Sequence, residues 1–289
     1  MRYGVYVPNF GPYGDARVLA DLAYEAEEAG WDGFFLWDQV SKTTLTPAVD
    51  PMVDPWIALA TIALRTSTIL LGPLVTPLPR RRPWMVARET VSLDRLSGGR
   101  LVFGVGAGGG YYDFEAMGEV TDAKALAMLL DEGLEVLTDL WSGEQYSHDG
   151  IAYHIKEAQF LPRPLQLPRI PIWVANLWPS KAPLRRAARW DGIVPIGRDL
   201  LLTAMLTPED MQDIVRSVAS QPEYSPPFEV VHSGITGGTD AAYDREVVAA
   251  YQQVGVTWWV EKILPELGGS WTQWPLEAMR SRIRQGPPG

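Results

Sequence analysis

Short runs of β-branched and aromatic residues alternate along the chain with longer stretches whose apolar positions recur every three or four residues. The short runs predict buried strands, and the longer stretches predict amphipathic helices. The strands are predicted at residues 3–7, 33–36, 68–75, 101–105, 170–175, 192–196, 228–232 and 257–260. The helices are predicted at residues 15–29, 55–65, 85–96, 121–141, 181–189, 208–219, 241–254 and 274–284.

Residues 142–161 interrupt this alternation after the fourth predicted helix. Two alternating runs flank Asp149 and Gly150, a pair that favours a tight turn, so we predict a small inserted β-hairpin. The remaining chain forms eight strand–helix units without a break in composition. This number of units favours a single domain, residues 1–289, folded as a TIM (β/α)8 barrel rather than as a doubly wound sheet.

Composition and charge narrow the range of functions. The chain has no cysteine, which excludes disulfides, zinc–thiolate sites and thiol catalysis, and no metal site is expected. A net charge of −10 argues against binding to nucleic acids or acidic lipids. No apolar run reaches the roughly 18 residues that a membrane helix needs. The strand pattern at the first residues leaves no room for a signal peptide, so a soluble cytoplasmic protein is expected.

The segment RLSGGRLVFGVGAGGG places Gly104, Gly106 and Gly109 at the spacing of a dinucleotide-binding loop. In that motif a helix starts directly after the strand, whereas YYDFEAMG follows here, so a Rossmann site is disfavoured. In a barrel these glycines lie at the carboxyl end of the fourth strand, where active sites occur. Gly104 is interpreted as relief of crowding inside the barrel. Gly106, Gly108 and Gly109 are interpreted as backbone that a ligand can approach closely.

Polar side chains at the predicted strand ends are the candidates for chemistry: Asn9, Asp38, Gln39, Thr76, Asn176, His232 and Glu261. The ordinary pKa of a histidine, about 6.5, would suit His232 to general acid–base catalysis, and a hydrogen-bonded histidine of the barrel rim is the alternative. His148 and His154 fall in the predicted hairpin and are expected to be solvated. Asp38 could order its loop or bind Arg88, and catalysis is the less common use of such a carboxylate.

Bulky and basic side chains add further candidates. Five tryptophans could stack on a cofactor or line a cavity: Trp37, Trp56, Trp178, Trp258 and Trp259. The last two point to opposite sides of the eighth strand, so at most one of them faces the barrel interior. Arg80, Arg81 and Arg82 begin a predicted helix and are expected on a solvated face.

Several segments in this order resemble the bacterial-luciferase-like family, which includes FMN-dependent monooxygenases and F420-dependent oxidoreductases. They are EEAGWDGFFLWDQV, DPWIALATIALRTSTILLGPLVTPLPRRRPWMVARETVSLDRLSGGRLVFGVGAGGG, LTDLWSGEQY and PRIPIWVA. The resemblance implies a TIM barrel whose mouth holds the flavin, or its deaza analogue, against a non-proline cis peptide at Leu74 and Val75, with Thr76 next in the chain.

The resemblance also implies where the phosphate of the cofactor binds. The loops after the fourth, fifth and sixth strands supply these contacts in the family. The corresponding residues here are Gly106, Ala107, Gly108, Gly109, Ala175, Asn176, Gly197 and Arg198. Arg198 would pair with the phosphate, and a solvent-facing loop arginine is the alternative.

The chain departs from the family pattern at three places. Gln39 follows Asp38 where many F420-dependent members have histidine, and Gly109 replaces a glutamate that several members carry. Ala175 and the three residues after it replace a glycine run. These departures argue against sugar-phosphate dehydrogenase chemistry, whereas flavin binding rests mainly on backbone and shape. Asp38, Gln39 and His232 remain the candidates for catalysis.

The first functional hypothesis is a flavin-dependent oxidoreductase or monooxygenase that acts on a small organic substrate with FMN at the barrel mouth. FMN would be reduced by a separate flavin reductase or by NAD(P)H, and the cofactor would carry the redox chemistry. The alternatives are an F420-dependent oxidoreductase that transfers hydride and a non-catalytic barrel subunit. The resemblance further implies a homodimer packed through the helices after strands two and three, where Trp56, Ile57, Trp84 and Met85 are apolar. These side chains could equally face the barrel.

Overall fold

The computed structural model describes residues 1–41, 50–197, 205–265 and 274–288. Within these residues, nine parallel strands form one sheet, and β6 and β7, described below, form a second one. The nine are β1 (Arg2–Val7), β2 (Gly33–Leu36), β3 (Leu70–Pro73), β4 (Thr76–Pro77), β5 (Phe103–Gly106), β8 (Ile172–Trp178), β9 (Gly192–Gly197), β10 (Glu229–Gly234) and β11 (Trp258–Lys262). Their order in the sheet is β3-β2-β1-β11-β10-β9-β8-β5-β4. The predicted (β/α)8 barrel is therefore confirmed.

The helices of the described residues follow the strands and cover the outside of the barrel. They are α1 (Ala16–Glu28), α2 (Pro55–Arg65), α3 (Pro83–Ser97), α4 (Ala123–Trp141), α5 (Ala182–Ala188), α6 (Pro208–Ala219), α7 (Ala241–Gln253) and α8 (Leu276–Arg284). Several begin at a side chain that accepts hydrogen bonds from the first turn, such as Asp54 before α2 and Thr207 before α6. No described helix combines the length and the apolar character that crossing a bilayer requires.

The ring closes between the third and fourth strand positions. The single predicted strand at residues 68–75 is two strands, because the ladder breaks between Pro73 and Thr76. Leu71 in β3 accepts a hydrogen bond from the amide of Val102 at 2.9 Å, and Thr76 in β4 pairs with Val105 in β5. β3 and β4 together therefore act as the third strand of the barrel.

Two apolar layers hold the barrel together. Phe35, Trp173 and Trp258 fill its interior with their rings in contact, at centroid distances between 5.2 and 5.8 Å. A larger cluster lies between the strands and the helices. Side chains alternate along each strand, so Trp258 belongs to the inner cluster and Trp259 to the outer one.

After α4 the chain forms a two-stranded antiparallel sheet of β6 (Tyr146–Asp149) and β7 (His154–Ala158). The connecting turn is wider than the predicted Asp149–Gly150 pair, because Asp149 pairs with His154 and the turn comprises the residues between them. Glu132 of α4 holds this turn by accepting hydrogen bonds from the amides of Ala152 and Tyr153 at 3.0 and 2.8 Å.

The last helix packs against the first one. Glu25 of α1 accepts hydrogen bonds from Arg280 at 2.8 Å and from Arg284 at 3.0 Å. The indole N–H of Trp31 donates to the carbonyl of Ile283 at 2.8 Å. α8 thus closes the helical layer beside α1.

Candidate active site

The carboxyl ends of β2, β4 and β5 bring several predicted site residues together. The peptide bond between Leu74 and Val75 is cis, as the resemblance implied. Thr76, which follows it, is fully buried and donates a hydrogen bond from Oγ1 to Asp38 at 2.7 Å. Val75 also faces the end of β5 at Gly106. These residues form one continuous part of the barrel mouth.

Asp38 is a buried carboxylate of this mouth with three side-chain partners. Its side chain is 0% exposed and forms ion pairs with Arg80 at 2.5 Å and with Arg81 at 3.1 Å. Thr76 occupies its second carboxylate oxygen. The alternative that Asp38 binds Arg88 is wrong, because the Arg88 guanidinium donates to the carbonyl of Leu161 at 2.7 Å. Asp38 therefore orders its loop through the arginines that precede α3.

The expectation of a solvated face for Arg80 and Arg81 is also wrong. The Arg80 side chain is only 5% exposed and forms a second ion pair with Asp113, at 3.1 Å. Asp113 in turn accepts hydrogen bonds from the amides of Val40 and Ser41 at 3.4 and 3.2 Å. Arg80 thus joins the loops that follow β2, β4 and β5, because two acidic groups from separate loops bind one guanidinium.

Gln39 is held through its backbone and leaves its side chain unengaged. The side-chain amide of Asn9 donates to the carbonyl oxygens of Gln39 and Val53 at 2.8 and 2.7 Å and accepts from the amide of Gln39 at 3.2 Å. Gln39 also lines a cavity of about 180 Å³ with Met52. Within the described residues the carboxamide of Gln39 has no hydrogen-bond partner, so it can bind a ligand.

Packing explains the first two glycines of β5. A Cβ at Gly104 would collide with the carbonyl of Pro73 on β3, which agrees with the sequence interpretation of relieved crowding. A Cβ at Gly106 would lie 3.0 Å from Val75 and 3.2 Å from Ala175. Gly106 therefore allows close contact between neighbouring strand ends, which is a packing role that the sequence interpretation did not include.

The next three glycines form an open loop. Gly108, Gly109 and Gly110 have φ angles of 73°, 131° and 97°, a region that favours glycine. A Cβ at Gly108 would collide with Phe114 and Pro77, whereas one at Gly109 or Gly110 would meet nothing within 4 Å. Among the described residues no acceptor binds the amides of these three glycines. The loop therefore offers N–H donors beside open space, which suits an anionic group or the edge of a flat ring.

The other predicted phosphate contacts lie along β8 and β9. Ala175 is half-buried within β8, and Gly197 is the last residue of β9. Asn176 is fully buried, donates to the carbonyl of Ser180 at 3.5 Å and leaves its Oδ1 without a partner among the described residues. Arg198 lies outside the described residues.

His232 lies apart from the mouth residues. Its neighbour Val231 belongs to the inner cluster, so the imidazole points to the outside of the barrel wall. There it stacks on Tyr251 of α7, with ring centroids 4.2 Å apart, and meets the tilted ring of Trp259 at 5.2 Å. Burial, and secondarily the charge of Lys262, lowers the pKa of His232 to about 3. Its Nε2 has no partner in the described part of the chain, so the ring is a neutral packing group at physiological pH.

Glu261 is likewise buried outside the barrel wall. It accepts hydrogen bonds from the amide of Thr236 at 2.6 Å and from the indole of Trp259 at 2.8 Å. Arg282 of α8 lies 3.5 Å away. Burial raises the pKa of Glu261, and Arg282 and the hydrogen bonds partly offset this effect. This network joins β11 to the last helix and belongs to the fold.

Only one of the five candidate tryptophans lies at the mouth. Trp37 contacts Tyr6 and Phe10 in a small apolar cluster at the carboxyl ends of β1 and β2. Trp258 lies deep in the barrel and Trp259 in the outer layer. The remaining two, Trp56 and Trp178, pack in or against the outer layer.

The two hairpin histidines differ in their surroundings. The side chain of His154 is 62% exposed, which agrees with the expected solvated position. His148 is only 19% exposed and its Nε2 lies 3.1 Å from Glu132, so the expectation was wrong for this residue. The carboxylate that holds the neighbouring turn also binds its imidazole.

The sequence interpretation missed two residues of the mouth. The Tyr6 hydroxyl donates to the carbonyl of Leu74 at 2.6 Å and so supports the cis peptide directly. Lys262 is 7% exposed, pairs in register with Tyr6, and shares the inner face of β11 with Trp258 by strand alternation. This alternation is the signal that identifies both residues as inward-facing once the barrel is assumed.

The fold and the mouth define the class of this protein. It is a parallel β/α barrel whose carboxyl-end face carries a cis-peptide bulge, a glycine loop with unpaired N–H groups and an ordered set of loops. The family description luciferase-like monooxygenase matches residues 1–266, and the chain belongs to this family.

Named relatives include enzymes of two cofactor types. An F420-dependent glucose-6-phosphate dehydrogenase of Microbacterium testaceum is 31% identical over 208 residues, which cover 69% of this chain and 58% of that protein. The oxygenase component of a flavin-dependent trigonelline monooxygenase of Acinetobacter baylyi is 32% identical over 127 residues, 44% of this chain and 35% of its own. The chain thus spans less than two thirds of each of these relatives.

A solved structure supports the fold. An F420-dependent secondary alcohol dehydrogenase in complex with an F420–acetone adduct superimposes with a TM-score of 0.76 over 90% of this chain and 93% of its own. The two sequences are 14% identical, so this likeness concerns the fold alone.

Proposed function

We propose that this protein is an oxidoreductase that binds coenzyme F420 at the barrel mouth and transfers hydride between it and a small organic substrate. The observation that carries the proposal is the loop of Gly108, Gly109 and Gly110. Its amides have no acceptor in the described residues, and it borders open space at the face where barrel enzymes bind ligands. A flat cofactor with an anionic side chain suits these features.

The relatives favour F420 over FMN, which reverses the order that the sequence suggested. Two relatives that cover 69% and 71% of this chain are named as F420-dependent glucose-6-phosphate dehydrogenases. FMN-dependent monooxygenation remains the second candidate, because the trigonelline monooxygenase component is as similar over a shorter segment. That alternative would require a flavin reductase or NAD(P)H as the source of electrons.

The residues of this chain have distinct roles in the proposal. The glycine amides would hold the anionic part of the cofactor, and the Tyr6 hydroxyl, which binds the carbonyl of Leu74, would fix the backbone beside it. Asp38 is a positioning residue, because its oxygens are occupied by arginine and threonine donors. Gln39 is the proposed polar contact to the substrate. When bound, the cofactor supplies the redox chemistry, so no protein nucleophile is needed.

Titration of the purified protein with F420, FMN and riboflavin tests the cofactor. We expect quenching of F420 fluorescence at micromolar protein and weaker binding of FMN. Tight binding of FMN alone would replace the first candidate with the second. Binding of neither cofactor would favour a non-catalytic barrel.

A mouth-blocking variant tests the location of the site. Ala107→Trp adds an indole beside the glycine loop and should abolish binding of the cofactor while the protein stays folded. Ile151→Trp is the control, because Ile151 is 80% exposed on the turn between β6 and β7. Unchanged cofactor affinity in Ala107→Trp would place the site elsewhere.

Arg198→Ala tests the phosphate contact that the resemblance implies. The change should weaken binding of FMN by about tenfold or more and leave riboflavin binding unaltered, since riboflavin has no phosphate. Equal losses for both ligands would contradict a phosphate role for Arg198.

A further inference from the structure

The floor of the barrel mouth is a layer of inward-facing residues above the apolar cluster that fills the interior. Side chains alternate along a strand, so a residue two positions after a member of that cluster also faces inward. This rule, applied after Phe35, Trp173, Val194, Val231 and Val260, gives Trp37, Ala175, Ile196, Ser233 and Lys262. Tyr6 and Val75 pack against the same cluster and belong to this layer with Gly106, which Val75 faces. Most of the floor is apolar, so its few polar groups decide which ligands it can hold.

The polar side chains of the floor lie on one side of the barrel. Ser233 of β10 and Lys262 of β11 are on neighbouring strands, and Ser233 pairs in register with Val260, two residues before Lys262. Tyr6 of β1 pairs with Lys262 on its other flank. The strand order places β4 and β5, which border the cis peptide and the glycine loop, across the barrel from this side. A substrate between the two sides therefore meets its hydrogen-bond donors on the side of β10 and β11.

The Ser233 hydroxyl and the Lys262 ammonium are suited to hold one oxygen atom. Ser233 is half-buried, and its hydroxyl has no partner in the part of the chain that the structure describes. Lys262 is 7% exposed and brings a positive charge to the floor. A hydroxyl and an ammonium that are held in place stabilise negative charge that develops on an oxygen near them.

The other titratable groups near the mouth are engaged or face away from it. The oxygens of Asp38 bind arginine and threonine donors, and the Tyr6 hydroxyl donates to the carbonyl at the cis peptide. Burial raises the pKa of Tyr6 well above its ordinary value, so its proton stays in place. His232 and Glu261 belong to the outside of the barrel wall. Among the described residues of the floor, Lys262 is therefore the group that can release a proton to a bound ligand.

We propose that the substrate is a carbonyl compound with apolar substituents, or the corresponding alcohol, and that Ser233 and Lys262 bind its oxygen. This inference rests on the proposed function. In the direction of reduction, the carbonyl carbon receives hydride from the reduced cofactor, which loses two electrons. The electron pair of the C=O π bond forms an O–H bond with a proton from Lys262, and the neutral amine regains a proton from water. The apolar rest of the floor contacts the substituents of the carbonyl carbon.

Isobutyrate tests the oxygen site without turnover, because it presents a negative oxygen on a small branched body. The protein without cofactor is isotope-labelled at lysine for NMR, and the Lys262 signal is identified by its loss in Lys262→Met. We expect isobutyrate to shift this signal in a saturable way below about 10 mM and to leave the signal of the exposed Lys181 in place. No saturable shift at Lys262, or an equal one at Lys181, would overturn the proposal.

Ketone reduction with F420 separates the charge of Lys262 from its proton transfer. Lys262→Arg keeps the positive charge, yet a guanidinium does not release its proton. This variant should bind isobutyrate within about threefold of the original affinity and should reduce acetone, cyclohexanone and acetophenone about 100-fold more slowly or worse. Ser233→Ala should weaken isobutyrate binding by about fivefold and lower the rate less. Lys181→Met is the control, and both its rate and its affinity should be unchanged.

The outcomes distinguish this inference from the proposed function. F420 bound with none of the three ketones reduced, or with reduction unaltered in Lys262→Arg, would overturn this inference and leave the cofactor assignment in place. Failure of the original protein to bind F420 would overturn the proposed function and this inference together.

Discussion

At the scale of single residues, charge at the barrel mouth is organised by one buried carboxylate. Asp38 and Arg80 are almost inaccessible to solvent, and Asp113 extends their network to a third loop. Burial of such charges is favourable only when each retains a close partner and further hydrogen bonds. Removal of one member should therefore affect both stability and the order of the loops.

Arg80→Met should lower the free energy of unfolding by about 3 kcal/mol, because Asp38 and Asp113 lose a buried partner. Chemical denaturation measures this change. Arg95→Met is the control, since exposed Arg95 makes one hydrogen bond, to the carbonyl of Arg163 at 3.1 Å, and its loss should cost no more than about 0.5 kcal/mol. Equal losses in both variants would show that the network is not stabilising.

His232 predicts a dependence of stability on pH. Its pKa of about 3 in the folded protein lies below the ordinary value, so the unfolded chain binds the proton more readily between about pH 6.5 and 3. Stability is therefore complete above this window and falls as the pH decreases through it. His232→Phe keeps a flat ring against Tyr251. It should remove the part of the pH-dependent loss of stability that His232 causes, which is at most about 1.4 kcal/mol per pH unit.

The measurement is the unfolding free energy of both proteins between pH 7 and pH 4. As the pH falls, the free energy of unfolding of His232→Phe should decrease less than that of the original protein. His154→Gln is the control, because the exposed His154 should change little. Parallel pH profiles for His232→Phe and the original protein would contradict a buried neutral imidazole.

At the scale of elements, α4 and the β6–β7 sheet are joined by Glu132. Burial alone would raise the pKa of this carboxyl, yet hydrogen bonds from the amides of Tyr153 and Ala152 and from His148 bring it below its ordinary value. The turn therefore depends on an ionised side chain from a neighbouring helix. The contribution of the Glu132 carboxylate to the free energy of unfolding is present at neutral pH and is lost as the pH falls through the pKa of Glu132 in the folded state.

Glu132→Gln should cost about 1–2 kcal/mol at pH 7 and speed hydrogen exchange at the amides of Ala152 and Tyr153, because one acceptor oxygen is lost. The difference should shrink in acid. Glu135→Gln on the same helix is the control, since its ion pair with Arg189, at 3.0 Å, is exposed. Unchanged exchange in Glu132→Gln would contradict the role of the carboxylate in this turn.

The periodicity of apolar residues was sufficient to predict the barrel, because eight alternations of strand and helix have few other solutions. It could not predict the break of the third strand before Thr76, where Leu74 bonds to Tyr6 and Leu36, residues distant in sequence. It also placed Arg80 and Arg81 on a solvated face. Their acidic partner Asp38 is 42 residues away from Arg80 in sequence, so no local pattern shows the pairing.

The candidate site was predictable only in part. The glycine loop and the position of the cis peptide followed from motif order. The prediction that His232 takes part in catalysis was misleading. Strand alternation decides whether a side chain faces the inside or the outside of the barrel, and only the packing of Val231 in the inner cluster shows that His232 faces outward. Tyr6 and Lys262 carry no motif and became visible through their register with each other.

At the scale of the whole molecule, the exposed apolar side chains of α2 and α3 lead to a prediction about the oligomeric state. Ile57 and Leu64 on α2 are 62% and 74% exposed, and Met85 on α3 is 54% exposed, whereas Trp56 is buried. Neighbouring helices with such side chains form a surface that another protein can cover. We propose that a second copy of the chain covers it, as the family resemblance implied.

The double change Ile57→Glu and Met85→Glu should therefore convert a dimer into a monomer, which light scattering after size-exclusion chromatography measures. Tyr243→Glu on α7 is the control, because Tyr243 is equally exposed at 62% on another face. A monomeric mass for the unaltered protein would contradict the proposed dimer.

The contact between α8 and α1 has a consequence for synthesis of the protein on the ribosome. Glu25 and its partner Arg280 are 255 positions apart, so the first helix emerges long before the last one exists. Until then, the carboxylate of Glu25 and the indole N–H of Trp31 lack their final partners. The nascent chain is therefore expected to expose the surface of α1 that α8 later covers to chaperones and proteases for most of its translation.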